Sequence, residues 1–71
     1  MKKDFKTWLI STWSKSNTAV GDLARDVRDD GDFPKTDNPE EIRGYLNGKG
    51  AVLKALNTFE RAYEAWEVES R

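Results

Sequence analysis

Residues 51–69 read AVLKALNTFERAYEAWEVE, and this stretch decides the fold. Val52, Phe59 and Trp66 recur every seven residues, with Ala55, Leu56, Ala62 and Tyr63 between them. On a helical wheel these seven fall within roughly a third of the circumference. The pattern predicts one long amphipathic helix from Ala51 to Glu69, with Val52, Phe59 and Trp66 all turned inward. Shorter elements must then pack against it.

Working back towards the N-terminus, Asn47-Gly48-Lys49-Gly50 stops a preceding helix. That helix opens on Asn38 as its N-cap, with Pro39 in the first helical position. Glu40 and Glu41 complement the positive end of its dipole, and Ile42, Tyr45 and Leu46 form its apolar stripe. Phe33-Pro34 cannot sit comfortably in a helix, because proline disfavours the helical region for the residue before it. Residues 32–37 therefore read as a loop with Phe33 tucked beneath it. Before the loop, Val20, Leu23, Ala24 and Val27 follow helical spacing after a cap at Asn17 or Thr18, and Gly31 is the expected terminator. Asp4 caps a first helix in which Phe5, Trp8, Leu9 and Trp13 share one side. No period-two run suggests a strand. The expectation is an all-α compact bundle of four helices, with a fifth short turn allowed in the loop, forming a single domain over residues 1–71.

At 71 residues a chain buries only about 60% of its unfolded surface, so each large apolar side chain counts. Three Trp, three Phe and two Tyr are too many aromatics for a disordered segment, despite 35% charged residues. Trp8, Trp13 and Trp66 lie on the faces that must form the core, and Trp13, at a helix end, is the one expected to be partly exposed. Cysteine and histidine are absent, which excludes disulfides, thiolate–zinc sites and imidazole chemistry. No apolar run approaches the roughly 20 residues that span a bilayer, and no signal peptide opens the chain, so a cytoplasmic location is expected.

A formal net charge of −1 conceals segregation. Four lysines oppose one aspartate in residues 1–21, and eight acids oppose three bases in residues 22–41. Arg43, Lys49 and Lys54 stand without acids in residues 42–58, and four glutamates oppose two arginines thereafter. This alternation argues against a dedicated duplex-DNA binder, whose footprint is basic, and suits patches that meet on neighbouring copies.

The string Phe33-Pro34-Lys35-Thr36, followed by Ile42, Tyr45-Leu46 and then Phe59, Ala62 and Trp66, resembles the YozE-type SAM-like family. These are small cytoplasmic bacterial proteins, mainly of Gram-positive species. The resemblance runs from the first aromatic helix to Trp66. It implies a helical bundle similar to a sterile alpha motif domain, and it carries over no catalytic residue and no cofactor. The Gly48-Lys49-Gly50 junction is more glycine-rich than the family leads one to expect.

That junction is similar to the turn of helix-hairpin-helix motifs, where a Gly-x-Gly loop aims backbone N–H groups at a phosphate. Gly48, Lys49, Gly50 and Lys54 are the candidate phosphate contacts on this reading. The competing reading is a glycine C-cap and a tight turn. Asp26, Asp30, Gly31 and Asp32 make a poor calcium loop, because Arg28 falls at a ligand position and Asp37 where a bidentate glutamate belongs. Glu60, Glu64 and Glu67 have no histidine or cysteine beside them and no apolar pocket to shift their protonation, so no enzyme and no metal site are expected. SAM-like modules often join head to tail through an acidic middle surface and the basic start of the last helix. Asp29, Asp30 and Asp32 supply the first here, and Lys49 and Lys54 the second. The leading expectation is therefore a non-enzymatic protein-interaction module that binds an unidentified protein or associates weakly with itself, with nucleic-acid binding at the glycine turn as the alternative.

Overall fold

The computed structural model describes residues 3–70 and contains four helices: α1 (Phe5–Trp13), α2 (Ala19–Asp29), α3 (Pro39–Gly48) and α4 (Leu53–Glu69). No strand occurs among the described residues. Three helices start where the sequence places their caps. The side chains of Asp4, Thr18 and Asn38 each accept a backbone N–H from the first turn that follows, satisfying donors a helix start otherwise leaves free.

Phe5 is the hub of the core. Its buried ring lies 5.6 Å from Phe59 and 5.9 Å from Trp66, both edge-on, and 5.5 Å from Tyr63. Edge-to-face pairs of this kind add about 0.5–1.5 kcal/mol each beyond area burial. Leu9, Leu23, Ala24, Val27, Phe33, Ile42 and Ala62 are buried with them. Trp8 and Trp66 are inside, and Trp13 is half-buried at the end of α1, as expected.

Two backbone approaches fix the corners. Gly21 sits so close to the α1–α2 turn that a Cβ there would lie 2.0 Å from the Ser16 carbonyl oxygen. Arg25 ties the same corner from the other side, donating at 2.9 Å to the carbonyls of both Ser14 and Ser16. The loop before α3 holds no fifth helix, only a turn at Gly31–Asp32. Asp37 anchors it: its carboxylate accepts the Phe5 N–H at 2.9 Å, and its carbonyl accepts the Tyr63 hydroxyl at 2.7 Å.

The periodic reading fails at three places. Helix α4 begins at Leu53 rather than Ala51, and Val52 becomes its N-cap with extended dihedrals. Val52 is therefore not on the buried stripe but 67% exposed, because a residue in the cap conformation leaves the helical face its spacing implies. Gly31 is not the terminator of α2. Asp30 closes that helix with extended dihedrals, and Gly31 does not have positive φ.

Candidate interaction groove

The turn from α3 into α4 sets the shape of the surface. Gly50 has φ +80°, the left-handed conformation that only glycine adopts without strain. The Gly50 N–H donates to the Asn47 carbonyl at 3.0 Å and the Ala51 N–H to the Leu46 carbonyl at 3.0 Å. This is a Schellman cap, in which the two bonds close the last carbonyls of α3. The Lys49 N–H points back into α3 as well, towards Tyr45 and Leu46. The chain leaves this cap already turned, so Val52 and Leu53 enter α4 facing solvent.

Val52, Leu53 and Val68 are the large exposed apolar side chains among the described residues, and the first two are adjacent, at 67% and 73% exposure. Val52 provides no side-chain acceptor for the start of α4. Lys54 adds a cation at that same end, where the helix dipole is positive. Three local rules are thus broken together at the beginning of the longest helix among the described residues.

Opposite this segment runs an acidic row on α2. Asp22 and Asp26 are one turn apart on α2, and Asp30, the cap that follows it, borders the second hollow together with Asp26. Between row and turn lie two adjoining hollows of about 270 and 260 Å³. The first is walled by Asp22 and Asp26 on one side and by Val52, Lys54 and Thr58 on the other. The second is walled by Asp30 and Phe33 against Leu46, Lys49 and Ala51. Leu23, Asp26 and Ala55 belong to both, so the hollows form one groove. The groove is lined by apolar and charged side chains together, a lining that suits the side chains of a protein partner.

Tyr45 links the two charges at one end. Its hydroxyl donates to the Asp30 carboxylate, and the Lys49 ammonium lies 5.7 Å from the centre of its ring. The Tyr45 hydrogen bond holds the Asp30 carboxyl below its ordinary 3.8, helped by the Asp32 N–H and, more weakly, by Lys49 and Lys6. The same bond pushes the Tyr45 phenol up to about 12. Arg25 pairs with Asp22, Arg28 with Asp29, and Arg43 with Glu60. Asp26 and Lys54 stand outside the ion pairs of the described residues.

Of the residues singled out from sequence, Asp30 and Lys49 come together around one ring, while Lys54 joins Asp26 across the first hollow. Asp29 turns to Arg28, and Asp32 lies near Tyr45, where its charge is felt by the phenol. Sequence reasoning did not single out Asp22, and it weighed Asp26 only as part of a poor calcium loop. Their continuation to Asp30 at the same spacing was the available signal. It also placed Val52 in the core, and nothing in the periodicity marks it as exposed.

Among the described residues, no helix is long and apolar enough to cross a membrane, and no group of three or more acids is placed to hold a metal ion. A family model described as the YozE SAM-like fold matches residues 5–68. No curated protein and no solved structure matches the chain.

Proposed function

The chain belongs to the YozE SAM-like family, and within it we propose a non-enzymatic protein-interaction module that works through the α2–α4 groove and associates weakly with copies of itself. The observation that carries this reading is the exposed Val52–Leu53 pair beside Lys54, with Val52 and Lys54 across the first hollow from Asp22 and Asp26. A folded chain that breaks capping, dipole and burial preferences at one place usually does so where function requires it. Apolar side chains flanked by charges of both signs suit a protein partner, with the apolar part contributing affinity and the charges selectivity.

The nucleic-acid reading is supported by Lys49 and Lys54 flanking a helix start that has no side-chain cap. It is weakened by the Schellman cap, because the N–H groups of Lys49, Gly50 and Ala51 already donate to α3.

An amide-resolved NMR experiment at low salt separates the two. Raising the protein concentration should move the resonances of Val52, Leu53, Lys54 and Asp26, and adding single- or double-stranded oligonucleotide should not. Shifts at Gly48, Gly50 and Lys54 on adding oligonucleotide, with none on concentration, would replace the first reading by the second.

A further inference from the structure

We propose that the occupant of the groove is a second copy of this chain related by a two-fold axis, each copy placing its Val52–Leu53–Lys54 segment in the other's α2–α4 groove. This rests on the interaction reading above and adds its geometry.

The groove presents carboxylates above an apolar floor, so it selects a segment that is both apolar and cationic. This chain exposes such a segment on the groove's own rim. Asp26 and Lys54 wall the same hollow, and Val52 stands beside them. When complementary halves share one face, half a turn brings Lys54 over the partner's Asp26 and Asp26 under the partner's Lys54 in one operation. That is the definition of an isologous contact. The same rotation lays the exposed Val52 and Leu53 over Leu23 and Ala55 of the other copy.

An open head-to-tail array requires its acidic and basic surfaces on different sides of the molecule. Here Asp30 and Lys49 flank the single ring of Tyr45, and Asp26 and Lys54 flank a single hollow. The contact therefore closes at two copies. It covers only one turn and part of one helix, well under the roughly 1,200–2,000 Å² of stable complexes, so it forms at high concentration and weakens with salt.

Sedimentation equilibrium from micromolar to millimolar protein at low salt tests the geometry. The mass should rise from 8.1 kDa and level at twice that value. Every pair in an isologous contact occurs twice, so a reversal worth about fivefold at one contact weakens the dimer about 25-fold. Lys54→Asp alone and Asp26→Lys alone should each do so, and an equimolar mixture of the two should recover the dimer. Both positions are exposed, and circular dichroism of each variant checks that it folds. A mass that climbs beyond two copies overturns the two-fold arrangement while leaving the interaction reading intact. A mixture that does not recover overturns the pairing of Lys54 with Asp26. A mass fixed at one copy throughout overturns both this inference and self-association.

Discussion

The hydroxyl of Tyr45, in the middle of α3, donates to the carboxylate of Asp30, the residue that closes α2. One hydrogen bond thus joins two helices separated by the 31–38 loop, and it involves two groups that titrate at opposite ends of the pH scale.

The pH dependence of stability follows from the signs of the two shifts. Asp30 is depressed below 3.8, so its contribution is present above that value and is lost as pH falls through the lower folded value. Tyr45 is raised from 10.0 to about 12, so its contribution is present below 10.0 and is lost as pH rises towards 12. Tyr45→Phe should lower the thermal midpoint by a constant amount between these limits. The difference from the parent chain should shrink on both sides. An equal difference at pH 3 and pH 7 would count against the bond.

Glycine-to-alanine substitutions at two helical positions should act in opposite directions. At Gly21 the added methyl meets the Ser16 carbonyl, and the strain should destabilise by about 1–3 kcal/mol. At Gly44, in α3, nothing lies within 4 Å of the added Cβ, and alanine should stabilise by about 0.5–1 kcal/mol. Urea denaturation of the two variants checks both signs.

One guanidinium nitrogen of Arg25 donates to the Ser14 and Ser16 carbonyls while the other pairs with Asp22, a planar two-nitrogen arrangement that a single ammonium does not reproduce. Arg25→Ala should cost about 1–3 kcal/mol in chemical denaturation. Arg25→Lys should recover less than half of that. Full recovery by lysine would mean that charge, not the forked geometry, holds the corner.

Phe5→Ala removes the hub of the aromatic cluster and should cost about 3–5 kcal/mol. A domain of this size has only about 4–10 kcal/mol in total, at roughly 0.05–0.15 kcal/mol per residue. The variant should melt tens of degrees lower by circular dichroism. Phe5→Leu, which keeps most of the volume, should remain folded at room temperature.

The helices were legible in the sequence because their signals are local. Asn38-Pro39, the Asp4 cap and the Phe59–Ala62–Trp66 stripe each depend on a few neighbouring residues. The groove was legible only in part. Lys49, Lys54 and Asp30 stood out as charges, but the meeting of Asp30 and Lys49 around Tyr45, and of Lys54 with Asp26 across the first hollow, depends on how the helices pack. Val52 was misplaced because periodicity describes a helix without saying where it starts. The Schellman cap at the end of α3 moved that start by two residues. Asp37 drew attention only as a misfit in the calcium-loop reading, since nothing in a loop aspartate announces that its carboxylate will receive the Phe5 N–H.

The indole of Trp66 donates to the carbonyl of Lys3 at 2.9 Å, across 63 positions of chain. The two extremities of the fold are consequently neighbours. Tension applied between them would peel α1 from α4 one contact at a time instead of shearing the whole seam together. A tether hung from opposite ends should therefore yield at low force, with the Phe5 cluster exposed early in the rupture.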